Sequence, residues 1–116
     1  MNPPTAQITM RSFNTTSHLT RALVLENRAA QDRSRFYDGR VWGSRDFTEH
    51  LQKGRGLVVF ANGVMIGFVM FRQVGREMVV DKLIIPVPSA ETQVIEILKR
   101  TARHANTGLS LPLIIS

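Results

Sequence analysis

The chain contains no cysteine. That excludes disulfide scaffolds, thiolate metal sites, iron–sulfur clusters and cysteine nucleophiles. Long apolar runs are missing too. Stretches such as Val64–Ile66 and Phe68–Phe71 fall far short of the roughly 20 residues that cross a bilayer. Met1–Gln7 is polar and has no apolar core of a leader, so the expectation is a protein without a secretory signal, located in the cytoplasm and not in a membrane. His18, His50 and His104 show no metal-ligand spacing, so no metal is expected. There is no G-x-S-x-G, no phosphate-binding P-loop and no dinucleotide fingerprint. Aromatic residues are few, at 7%, with one Trp and one Tyr.

What is present fits one globular domain spanning residues 1–116, since 43% of the residues are hydrophobic and 21% charged. Basic residues outnumber acidic ones by 15 to 9, and twelve of the fifteen are arginine. Such a balance invites a nucleic-acid reading. Yet Asp32, Asp38, Asp46 and Glu49 are interleaved among the arginines, and no run of five like charges occurs. The pattern reads as a solvated surface, and nucleic acid is not the expected partner.

Ala6–Phe13 alternates apolar and polar residues at Ile8 and Met10, which predicts a strand. Asn14–Ser17 supplies N-cap candidates for a helix whose stripe is Leu19, Ala22, Leu23, Leu25, Ala29 and Ala30. A second, short helix is expected from Ser44, with Phe47 and Leu51 on one face, ended by Lys53-Gly54-Arg55-Gly56 with glycine available for a left-handed cap. Leu57–Ala61 and Val64–Arg72 flank Asn62-Gly63, the strongest short hairpin signal. The second of these strands is apolar on both faces, which predicts a central position, and Gly67 within it predicts a bulge or a close approach. Glu77–Ile85 completes an antiparallel meander. Pro86 and Pro88 stop it, and Ser89 is the expected N-cap of a helix carrying Val94, Ile95, Leu98 and Ala102 inward. Asn106-Thr107-Gly108 closes that helix, and Leu109–Ile115 is a last strand disturbed by Pro112.

The order is β-α-α-β-β-β-α-β, an α+β domain with a mixed, mostly antiparallel sheet and helices on both faces. It resembles the GNAT (acyl-CoA N-acyltransferase) superfamily. Ile8-Thr9-Met10-Arg11 is similar to that family's opening strand. Trp42-Gly43-Ser44-Arg45-Asp46-Phe47 looks like the W-x-x-x-(D/E)-F entry to its second helix, in the version of the ribosomal-protein N-acetyltransferases. Gly54–Phe71 looks like its second and third strands, and Leu83-Ile84-Ile85 before a proline looks like the end of its fourth. The resemblance covers roughly residues 6–115. It implies acetyl-CoA as cofactor and acetyl transfer to an amine.

Two departures accompany it. The family's (R/Q)-x-x-G-x-(G/A) loop presents backbone N–H groups to the cofactor pyrophosphate at a helix N-terminus. Here only Pro86, Val87, Pro88 and Ser89 lie between Ile85 and the expected helix, and no glycine occurs from Arg76 through Thr107. The family usually continues beyond the fifth strand, whereas this sequence stops at Ser116, which reads as a C-terminally shortened version. The fifth-strand glutamate of the ribosomal-protein enzymes has no counterpart in Leu109–Ile115.

The resemblance places cofactor binding at Leu83, Ile84, Ile85 and Ala90. Asp81, on the fourth strand, is the candidate base; alternation puts it on one face with Leu83 and Ile85. The arginine-rich and aromatic stretch Arg33–Arg45 offers Arg35, Tyr37 and Trp42 as candidate acceptor-binding residues, on the side where the family binds its acceptor. The alternative is a catalytically silent binding or oligomerisation module that forms a homodimer, or docks a protein partner, through the Leu109–Ile115 edge.

Overall fold

The computed structural model describes residues 7–32 and 40–111. Its elements are β1 (Ile8–Ser12), α1 (Thr15–Asp32), α2 (Ser44–Lys53), β2 (Arg55–Ala61), β3 (Val64–Val74), β4 (Glu77–Ile84), α3 (Pro88–His104) and β5 (Gly108–Ser110). The strands lie in the order β1-β2-β3-β4-β5. All neighbours are antiparallel except β4 and β5, which run parallel through Glu77–Val79 and Gly108–Ser110. This is the expected mixed α+β sheet.

Alternation along the strands divides the core in two. Val58, Phe68, Met70 and Ile84 pack with Ala22, Leu25 and Ala29 of α1, Phe47 of α2 and Trp42. On the opposite face Val59, Val69, Leu83 and Ile85 pack with Ala90, Val94, Leu98 and Ala102 of α3. Each helix therefore buries one apolar stripe against one sheet face. Strand β3 is central, and Phe68, Val69 and Met70 are all fully buried because helices cover both of its faces.

The ends of the elements have local causes. Asn14 caps α1, its Oδ1 accepting the N–H groups of Thr16 and Ser17 at 2.9 and 3.2 Å. The β2–β3 hairpin turns through Asn62 (φ 52°) and Gly63 (φ 81°), the two positive φ values that a type I′ turn requires. Gly67 opposes Val59 where the β2–β3 register shifts. A Cβ there would lie 2.5 Å from the Ile84 carbonyl oxygen and 2.8 Å from Ile85 Cγ1. Both expectations for Gly67 are met: a bulge, and a close approach by the neighbouring strand.

Two boundaries differ from the sequence reading. Gly54 is extended (φ −144°), not a left-handed cap. Its need for glycine is steric, since a Cβ would sit 2.5 Å from the Phe71 carbonyl oxygen and 2.9 Å from His50 Cε1. Val87, not Ser89, is the N-cap of α3, because Pro88 with its fixed φ opens the helix at its first position. At its other end α3 closes within Asn106-Thr107-Gly108 as expected, with Asn106 (φ 54°) left-handed and the Asn106 and Thr107 N–H groups returning to the carbonyls of Arg103 and Ala102. Strand β5 covers Gly108–Ser110, and Pro112 lies outside the described residues.

Among the described residues, no helix is long and apolar enough to cross a membrane. No group of three His, Asp or Glu side chains there could hold a metal ion.

The start of α2 is held by charge. Asp46 Oδ2 accepts the Gly43 N–H at 2.8 Å, and Oδ1 meets the Arg40 guanidinium at 3.0 Å. The backbone donor, joined by Arg40 and opposed by partial burial, keeps the Asp46 carboxyl below its ordinary 3.8. A lowered folded-state value contributes stability that is full above the unfolded value and is lost as pH falls through the folded one. Asp46→Asn should therefore lower the urea midpoint at pH 7, and the gap to the wild type should close below about pH 4. Urea titrations at several pH values measure that gap, and one independent of pH would contradict this account of α2.

Candidate active site

Asp81 and Lys82 form the centre of the site, and a bulge in β4 explains both. In the β3–β4 ladder Met70 pairs with Lys82 and Phe71 with Val80, so Asp81 is the extra residue. A bulge interrupts alternation. Val80 and Leu83 face α3, whereas Lys82 and Ile84 face α1 and α2. Asp81 joins Lys82 on the α1–α2 face, where it meets His50 of α2. The expectation that Asp81 shares a face with Leu83 and Ile85 is thus corrected, because the inserted residue shifts the phase of the strand by one.

Asp81 Oδ2 meets His50 Nε2 at 2.9 Å and accepts the Arg72 Nε–H at 2.8 Å. The carboxylate keeps the exposed Arg72 guanidinium protonated to a higher pH than usual. The His50 side chain is only 9% exposed, and its Nδ1 is buried without a hydrogen-bond partner. Asp81 is 19% exposed, and both of these contacts are made by Oδ2, not Oδ1.

Beside this group lies a fully buried ion pair. Lys82 Nζ donates to Glu26 Oε1 and, at 2.8 Å, to the Arg40 carbonyl oxygen. Glu26 Oε1 also accepts the Trp42 N–H at 3.3 Å. The Trp42 ring spans the two groups. Its centroid lies 5.2 Å from Lys82 Nζ and 5.4 Å from the His50 ring. Glu26, Arg40, Trp42 and Lys82 therefore fasten α1, the entry to α2 and the middle of β4 together.

The other candidates fall as follows. Trp42 was expected at an acceptor-binding surface, but it is buried against Phe47, His50 and Lys82, because an indole gains more from the core than from solvent. Arg35 and Tyr37 lie outside the described residues. Leu83, Ile84, Ile85 and Ala90 are buried, so only their backbones can meet a ligand. Ile85–Val87 alone join β4 to α3. Beyond Val79, no described strand pairs with the outer edge of β4. Sequence reasoning missed Glu26 and His50. Glu26 adjoins Leu25 of the apolar stripe, and Lys82 breaks an apolar strand; that pairing of opposite charges at interior positions was the available signal.

No protein-family model matches the chain, and no curated protein does. Solved structures do. A putative acetyltransferase from Acinetobacter baylyi superposes with a TM-score of 0.67 at 12% identity, covering 91% of this chain and 68% of that one. The ribosomal-protein-S18-alanine N-acetyltransferase from Escherichia coli gives 0.62 at 15% identity, covering 87% and 63%. A putative acetyltransferase from Salmonella typhimurium, solved with acetyl-CoA, gives 0.57 at 16% identity, covering 86% and 65%. The chain spans less than two thirds of the length of two of these structures. The fold is that of the GNAT acetyltransferases, as the sequence resemblance implied.

The Glu26–Lys82 pair yields a stability prediction. Lys82→Met strands a buried carboxylate and should cost about 3–5 kcal/mol. Glu26→Gln with Lys82→Met removes both charges and keeps an oxygen for the Trp42 N–H, so most of that loss should be recovered. Denaturant unfolding of the two variants is the measurement; a double variant no more stable than Lys82→Met would contradict the assignment.

Proposed function

We propose that this chain is an acyl-CoA-binding domain that transfers an acetyl group to an amine. One observation carries the reading: β5 stays beside β4 only to Val79, so the backbone from Val80 onward has an edge that no described strand covers. Such an edge is a ready partner for the amides of an extended pantetheine arm. The cofactor supplies the acyl group in activated form, as a thioester.

The residues fit this cofactor in part. Leu83–Ile85 contribute edge backbone. At the start of α3, no side chain caps the first turn, so the N–H groups of Ser89 and Ala90 are available to an anion at the positive end of the helix dipole. Opposing this, Pro86 and Pro88 have no N–H, and Glu91 brings a carboxylate into the same turn. On the α1–α2 face Asp81 accepts the proton of the incoming amine at Oδ1, while His50 and Arg72 hold Oδ2 and fix the orientation of the carboxylate.

The prolines and Glu91 favour a second reading, a GNAT-shaped module without catalysis. It would act through β5, which is an edge strand among the described residues, either with a second copy or with a protein partner.

Calorimetric titration of acetyl-CoA and CoA separates the two. The enzymatic reading expects a micromolar Kd. It also expects Asp81→Asn to keep that affinity while acetylation of amine acceptors falls ~100-fold or more. Absence of binding up to millimolar acetyl-CoA would overturn it in favour of the silent module.

A further inference from the structure

Strand β3 outruns its neighbour. The β2–β3 ladder ends at Arg55 opposite Phe71, and β3 continues through Arg72, Gln73 and Val74. The end of α2 turns into β2 above this overhang, which leaves a cleft of about 450 Å³. Five of its side chains are Gln52, Lys53, Arg55, Arg72 and Gln73. Three are cations and two are amides, and no carboxylate lines it among the described residues. Lys53 and Arg55 make no ion pair with any described residue. The third cation, the Arg72 guanidinium, gives only its Nε–H to Asp81, so both Nη groups keep their donors. Gly54 brings the corner down onto β3; the clash that any Cβ would meet there keeps the floor of the cleft backbone-lined.

We propose that this α2–β2 corner is a binding site for a small, multiply charged oxyanion, namely a phosphate or pyrophosphate group. Two observations support that class. The donors line one cleft from three elements, the helix end, β2 and β3, which suits a tetrahedral or doubled oxyanion. Lys53 and Arg55 have no described acidic partner, and Asp81, which pairs with Arg72, also serves His50. The cleft volume also lies within the range of small-ligand sites. The cleft is at the Arg55 end of β2, away from the start of α3, so the inference does not rest on the acyl-CoA reading.

The test is an amide-resolved NMR titration with sodium pyrophosphate at low ionic strength. Saturable shifts are expected at Lys53–Arg55 and Arg72–Gln73, with a Kd below about 1 mM. Exposed Lys53 and Arg55 can be removed without disturbing the core; Lys53→Ala with Arg55→Ala should raise that Kd about tenfold or more, the loss expected for charge-assisted contacts. Added chloride should weaken the binding. Shifts that do not saturate, shifts confined to Ser89–Glu91, or an affinity unchanged in the double variant would each overturn the proposal. Acetyl-CoA is read at α3 and β4, so either site can fail while the other stands.

Discussion

A buried ion pair organises the α1–α2 side of this protein. Glu26 and Lys82 are 56 residues apart in sequence and fully removed from water. Burying two charges is costly, and their attraction repays it only when other donors and acceptors complete the shell. Here the Arg40 carbonyl adds an acceptor for Lys82 Nζ and the Trp42 N–H adds a donor for Glu26 Oε1. These contacts are made together in one arrangement of three elements: α1 against β4, with the entry to α2 laid across them. A purely apolar contact would tolerate sliding; a hydrogen-bonded pair in a dry interior does not.

That fixed arrangement is what gives Asp81 its neighbours. The β4 bulge turns Asp81 and Lys82 to the same face, one into a fully buried pair and the other into a half-open cluster with His50 and Arg72. Trp42 touches both groups, so the structural pair and the candidate base share a wall. A shift of α1 would move Trp42, and with it the packing of the imidazole that orients Asp81.

The two ends of the sheet differ in chemistry. At the α3 end, β4 presents an edge and a helix N-terminus tempered by two prolines and Glu91. At the other end, β3 overhangs β2 beneath a corner rich in cations. The excess of arginine over acid in the composition thus has a local meaning. Some of that positive charge is spent on Asp46 and Asp81, while Lys53 and Arg55 have no acidic partner among the described residues.

The order of elements was legible in the sequence because periodicity, Asn62-Gly63 and the prolines act locally, over distances shorter than one element. The GNAT-like fold followed from that order and from motifs such as Trp42–Phe47. What the sequence could not state was the phase of β4 after its bulge. A single inserted residue reverses which face a side chain meets, and the insertion is defined by pairing with β3, not by β4 itself. For the same reason the burial of Trp42, the Glu26–Lys82 pair and the His50–Asp81 contact were decided only by tertiary structure: each joins residues whose proximity depends on two elements packing across a third.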